Sequence, residues 1–77
     1  MQKLTSHQQG DRVVIRKIIG SGAFKKRLLE MGFMKNSIVS IIKYAPFQDP
    51  MELVIKNYHI SLRISEAANV QVEPVGI

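Results

Sequence analysis

The side chains able to do chemistry are few in this 77-residue sequence, and their spacing gathers none of them into a reactive group. His7 lies in a polar N-terminal stretch, whereas His59 opens a strand-like run far along the chain. General acid–base chemistry needs a titratable group within hydrogen-bond reach of the proton it moves, and a hydrolytic triad needs its base oriented by a third group; no local arrangement supplies either. The six carboxylates, Asp11, Glu30, Asp49, Glu52, Glu66 and Glu73, are scattered, with no His/Glu pair at helical i, i+4 spacing and no calcium-loop pattern. The chain has no cysteine, which excludes a disulfide scaffold, thiolate metal ligation and a cysteine nucleophile. Gly20-Ser21-Gly22 precedes a helix-like segment whose first amides could attract an anion, but the G-x-x-x-x-G-K-[ST] spacing of a phosphate loop is absent. We therefore expect no enzyme, no catalytic residue, no metal site and no cofactor in this chain.

Charge is the stronger signal. Eleven Lys and Arg against six Asp and Glu leave a net charge of +5, and Lys25-Lys26-Arg27 is the one concentrated run. With Arg12, Arg16 and Lys17 on the preceding strand, these could build a basic patch suited to phosphate or to an acidic protein face. The same charge also serves solubility. Barrel-type nucleic-acid binders usually add exposed aromatics on which bases stack. The aromatics here are Phe24, Phe33, Tyr44, Phe47 and Tyr58; Phe24 falls on a helix core stripe, and Phe47 and Tyr58 lie in different turns, so no stacking platform is legible.

These residues must be positioned by one small domain, since 77 residues leave room for a single core. An apolar fraction of 45% and a charged fraction of 22% are those of a globular chain. Met1 to Gly10 lacks the apolar run of a signal peptide, and no stretch approaches the roughly 20 apolar residues of a membrane helix, so a cytoplasmic location is expected. Residues 1–9 read as a flexible tail and residues 10–77 as the domain.

Arg12 to Ile19 is rich in β-branched residues, but its apolar side chains fall on both faces, which points to a bulge or a strand curling between layers. Past Gly20, Phe24, Leu28 and Met31 recur at i, i+4, i+7 and predict a short helix with Lys25 and Lys26 facing away and Gly32 as its C-cap. Asn36 is expected to take positive φ in the turn that follows. Ser37 to Ala45 is a β-rich run, Pro46 to Pro50 a loop, and Met51 to Lys56 alternates with Met51, Leu53 and Ile55 inward. Asn57-Tyr58 is the expected hairpin turn into His59 to Arg63; Ser65 suits the cap of a single helical turn; and Val70 and Val72 face inward in a last strand that should lie at an edge or end at Pro74. The expected fold is mainly β: a small, partly open barrel of about five antiparallel strands with one short α-helix inserted after the first.

The order of these motifs has a counterpart. Lys26-Arg27-Leu28-Leu29-Glu30-Met31-Gly32-Phe33 resembles the "RRLLEMGL" core of the FeoA family, small cytoplasmic partners of the bacterial ferrous iron transporter FeoB. Ala45-Pro46-Phe47-Gln48-Asp49-Pro50 is similar to that family's "AP-x-x-DP" loop, and Ile60-Ser61-Leu62-Arg63 with Glu66-Ala67-Ala68 to its "I-x-L-R-x-x-EA" strand and turn. Lys35-Asn36 stands where the family often has Pro-Gly, and Asn57 where it often has glycine, substitutions that asparagine's tolerance of positive φ accommodates. The resemblance implies an SH3-like barrel, and a non-enzymatic accessory that docks on the GTPase part of a FeoB-type transporter and supports or regulates ferrous iron uptake. The docking surface is expected at Lys25, Lys26, Arg27, Leu29, Glu30 and Phe33, with Phe24, Leu28, Met31 and Gly32 packing and capping the helix. A basic barrel that binds nucleic acid and a self-associating structural module are the alternatives.

Overall fold

The computed structural model describes residues 2–20 and 22–75; Met1, Ser21, Gly76 and Ile77, which the readings of the tail, the glycine link and the domain end include, lie outside the described residues. The chain runs β1 (Gln2–Lys3), a 3-10 turn (Leu4–Ser6), β2 (Arg12–Ile18), α1 (Gly22–Glu30), β3 (Ile38–Tyr44), a second short turn (Pro46–Gln48), β4 (Met51–Ile55), β5 (Tyr58–Leu62), α2 (Ile64–Ala67) and β6 (Val70–Pro74). The described strands form one antiparallel sheet in the order β1-β6-β2-β3-β4-β5, curled around the core and not closed. The architecture is the expected mainly-β one with a helix between the first two long strands, and with a sixth strand.

That extra strand corrects the reading of residues 1–9 as a flexible tail. Gln2 and Lys3 pair with Val72 and Gln71, and Leu4 is fully buried. One apolar side chain in a polar stretch gives no periodicity from which a strand could be read, yet Leu4 docks into the core and draws its neighbours into register. In consequence β6 is an interior strand, and Pro74, which cannot donate to a ladder, ends it beyond the two pairs made by β1.

Two bulges set which residues face inward. Between Ile15 and Lys17 the β2–β6 register shifts, so Arg16 is an extra residue and the buried set runs Val13, Ile15, Ile18. This is the bulge that the two-faced apolar pattern required; it leaves Ile19 exposed. A second shift between Ile41 and Lys43 puts Ile42 on the outside in the same way. In β4 there is no such shift against β5, and Met51, Leu53 and Ile55 are all buried as the clean alternation implies.

The β4–β5 hairpin turns one residue earlier than expected. Lys56 and Asn57 both adopt positive φ (49° and 70°) between the paired Ile55 and Tyr58, the pattern of a two-residue type I′ turn whose twist matches that of the flanking strands. Asn36 takes its expected left-handed conformation, φ 74°. The core consists of Leu4, the inward positions of β2 to β6, Leu28, Phe33 and Ala67, with Phe24, Met31, Tyr44, Ile60 and Ile64 packed half-buried against it.

Candidate functional site

Helical geometry divides α1 into two faces. Lys25, Lys26, Leu29 and Glu30 share one side, and all are exposed, with Leu29 leaving 43% of its surface open. Phe24, Leu28 and Met31 form the other and meet the core, Leu28 completely buried. At nine residues α1 is too short to be stable alone, so docking of the apolar face holds the charged face in place.

The C-terminus of α1 is a Schellman motif. Gly32 at φ 98° takes the left-handed position, its amide donates to the Leu29 carbonyl (3.0 Å), and the Phe33 amide reaches back to the Leu28 carbonyl (2.9 Å). Such motifs are closed by an apolar contact between the residue after the glycine and the one that accepts from it. Phe33 and Leu28 are both 0% exposed. Phe33 is therefore a core residue, which corrects its expected role in docking: chain reversal at Gly32 turns the ring inward. The signal was present in the spacing Leu28-x-x-x-Gly32-Phe33, which is that of the motif itself.

Arg27, also exposed, ties α1 to a second element. Its guanidinium is ion-paired with Glu66 of α2. The other carboxylate oxygen of Glu66 accepts from the Arg63 amide at 3.0 Å, satisfying the start of α2. The next helical amide, Ile64, donates to Asp49 Oδ1 at 3.1 Å. Two carboxylates thus cap one short helix, and the cap position is Arg63 where Ser65 was expected. Asp49 comes from the proline-flanked loop, so the three motifs of the sequence meet here: helix α1 through Arg27, the loop through Asp49, and the β5–α2 turn through Glu66.

The broader basic patch is thinned by pairing. Arg16 donates to Glu73 Oε1 and to Asn36 Oδ1, each at 2.6 Å, so of the six cations considered, Arg16 and Arg27 are engaged within the fold. Arg12, Lys17, Lys25 and Lys26 remain exposed without an ion pair among the described residues.

The two histidines are not brought together into a site. His59 is exposed on β5, whereas His7 closes the N-terminal segment onto the sheet, with Nδ1 3.3 Å from Asp11 Oδ2. The Tyr44 hydroxyl donates to the His7 carbonyl at 2.6 Å. The Gln8 amide, donating to Asp11 at 2.9 Å, is the main cause holding the Asp11 carboxyl below its ordinary range, with the His7 contact adding to it. Burial, and secondarily the Asp11 charge, push the Tyr44 hydroxyl up. This cluster fastens the segment between the first 3-10 turn and β2 onto Tyr44 of β3, a partner too far along the chain for the local sequence to disclose. Among the described residues no group of three or more His, Asp or Glu side chains could hold a metal ion, and no helix is long and apolar enough to cross a membrane.

Residues 2–74 match the model of the FeoA domain family. A Porphyromonas gingivalis relative, described as an Fe(2+) transport protein A/Fe(2+) transporter FeoB fusion protein, is 39% identical over 71 residues. That match takes in 92% of this chain and 8% of the fusion protein, so the chain spans only a small part of that relative. Iron(II) transport protein A from Clostridium thermocellum superposes with a TM-score of 0.91 at 34% identity, covering 96% of this chain and 46% of that one. The zinc-complexed FeoA of Stenotrophomonas maltophilia, described as an SH3 domain protein, superposes at 0.83 with 26% identity over 95% and 91% of the two chains. The open six-stranded sheet is accordingly SH3-like.

Proposed function

Since the chain belongs to the FeoA domain family, we propose that it is a non-enzymatic, cytoplasmic accessory of ferrous iron transport that docks on the GTPase part of a FeoB-type transporter through the exposed face of α1. The observation that carries this reading is the fusion relative, in which a domain 39% identical to this one is covalently joined to an Fe(2+) transporter. Fusion holds two partners at high effective concentration, an arrangement with a purpose when they must meet. Ferrous iron is then the cargo of the partner, consistent with the scattered carboxylates of this chain.

The α1 face fits the task on three grounds. Lys25 and Lys26 are exposed and unpaired among the described residues, Leu29 offers apolar area between them, and the Schellman cap with the Arg27–Glu66 pair keeps the helix from shifting on the sheet. Glu30 at the helix end completes the surface. Phe33 is buried and offers no surface, whereas Arg27 is exposed and, while paired with Glu66, lies beside Lys26 on the same helix.

The test is binding of the transporter's soluble GTPase domain to the chain carrying K25E and K26E together. A loss of about tenfold, or ~1.4 kcal/mol, is expected. Unchanged affinity, with the variant's unfolding midpoint intact, would remove α1 as the docking face. Arg27 is left unaltered in this experiment because its reversal would also break the tie to α2.

A further inference from the structure

We propose that the free edge of β5, together with the groove between it and the end of α1, binds an extended acidic peptide segment of a partner by adding it to the sheet as a seventh strand. β5 is the last strand in the sheet order. Its turn is two residues long and its register with β4 pairs Ile55 with Tyr58, Leu53 with Ile60 and Met51 with Leu62. A two-residue hairpin makes the first pair a hydrogen-bonded one, and antiparallel ladders alternate, so Tyr58, Ile60 and Leu62 bond to β4 while the amides and carbonyls of His59 and Ser61 point away from the sheet. Among the described residues no turn, loop or side-chain hydrogen bond takes up those outward groups.

Natural edge strands are usually blunted by proline, lysine, a bulge or a covering element. β5 carries neither lysine nor proline, its ladder with β4 runs without a bulge, and α1 stops short of it. Between them lies a groove of about 360 Å3 lined by Glu30, Met31, Tyr58, His59 and Ile60. Tyr58 is 67% exposed although it shares the core-facing side of β5 with Ile60 and Leu62. An added strand would set alternate apolar side chains on Met31, Tyr58 and Ile60, which gives side-chain specificity to what main-chain hydrogen bonds hold.

The occupant follows from the charge. Exposed Lys56 and Arg63 bracket the strand, neither has an ion pair among the described residues, and the chain carries +5, so a segment is attracted whose acidic residues meet these cations and whose apolar ones face the groove beside Glu30. A second copy brings the same cations, Lys56 and Arg63, to the same edge and is opposed by like charge. This contact shares Glu30 with the α1 face but is made by backbone groups of β5, and it rests on the transporter reading only for the origin of the strand.

Amide hydrogen exchange of the labelled chain tests it with two probes, the transporter's soluble GTPase domain and an acetylated heptapeptide alternating glutamate with valine. At nine-tenths occupancy the His59 and Ser61 amides should slow by about tenfold, while Ile60, already bonded to β4, changes little. S61P removes an outward donor without removing a ladder bond, and should abolish the protection at His59. If the domain binds yet His59 and Ser61 stay unprotected with both probes, the edge inference is overturned and the docking reading stands. If the domain does not bind but the peptide protects both amides, the docking reading fails and the edge site stands. Protection that grows with the chain's own concentration, without either probe, would assign the edge to a second copy and overturn the proposal. Because exchange is read on the unsubstituted chain, these outcomes do not depend on S61P folding.

Discussion

Glu66 joins two helices at once: one carboxylate oxygen accepts from the Arg63 amide at the start of α2, and the other pairs with Arg27 on α1. The two bonds differ in worth. The amide is a helix-end donor with no helical partner, so E66A should cost about 1 kcal/mol in urea unfolding. The ion pair is exposed at its Arg27 end, so R27A should cost less than about 1 kcal/mol. In the double variant the coupling should stay below the cost of E66A alone. A coupling equal to the whole E66A effect would show that the pair, and not the cap, is what Glu66 contributes.

How much of this the sequence disclosed depends on the range of the interaction. Periodicity within one element is readable: Phe24 and Leu28 on α1 with Met31 just past its end, and Met51, Leu53 and Ile55 on β4, face the core as their spacing implies. The bulge at Arg16 was detectable as a phase change in β2, though not its partners Glu73 and Asn36, which lie far along the chain. Leu4 is a lone apolar side chain whose burial is decided by tertiary docking and not by a repeat, whereas the burial of Phe33 is announced only by the helix-capping spacing Leu28-x-x-x-Gly32-Phe33. Glu66 reads in the sequence as one of six scattered carboxylates and as part of the family-like turn, but its capping role is masked because the residue three before it, at the cap, is Arg63. The α1 face is legible as composition, but the pairing of Arg27 on α1 with Glu66 on α2 is visible only in three dimensions.

Phe33 separates the core role from the docking role. Being fully buried beneath the Schellman turn, it should lose about 3–5 kcal/mol of stability on F33A, near the whole stability of a domain this small. F33L keeps most of the apolar volume and should leave a folded chain with a lower midpoint. On that folded variant, affinity for the GTPase domain should match that of the unsubstituted chain. A folded F33L with tenfold weaker binding would return Phe33 to the interface.

Gly32 is a conformational requirement and not a close approach. A Cβ there would meet only the flexible end of Lys56 at 3.7 Å, an ordinary contact, whereas φ 98° disfavours any L side chain. G32A should therefore destabilise by about 1 kcal/mol or somewhat more, with G32N milder because asparagine tolerates left-handed backbone. Thermal melts of the two variants side by side give the order; equal losses would point to a steric cause.

The Asp11 carboxylate makes acid stability depend on the N-terminal segment. Its pKa is lowered in the folded chain, chiefly by the Gln8 amide and then by His7. A depressed carboxyl contributes stability that is present above its unfolded value near 4. That stability is lost as pH falls through the lower folded value, because the unfolded chain then binds the proton more readily. D11N removes the titration while keeping an acceptor for the Gln8 amide. Urea midpoints between pH 6 and pH 2 should therefore fall less steeply for D11N than for the unsubstituted chain. Parallel slopes would mean that Asp11 is not among the carboxylates governing acid unfolding.

The net charge of +5 still has to be assigned between a protein partner and nucleic acid, and salt dependence distinguishes them. With Arg16 and Arg27 engaged by Glu73 and Glu66, four of the six grouped cations remain, on separate elements: Arg12 and Lys17 on β2, Lys25 and Lys26 on α1. Phe47, 99% exposed, sits at a loop tip and Tyr58 on β5 beside the groove, so the two exposed aromatics belong to different elements. If all four cations met phosphates of a single strand, log affinity would fall with log salt at a slope of about −3. We expect instead that a fluorescent single-stranded oligonucleotide shows only weak anisotropy change at physiological salt, with a slope shallower than −2 and little effect of F47A. Binding of the GTPase domain, by contrast, should retain much of its strength at the same salt, because Leu29 contributes apolar area that salt does not screen. Tight oligonucleotide binding that collapses on F47A would reverse the assignment and make the positive field a nucleic-acid surface.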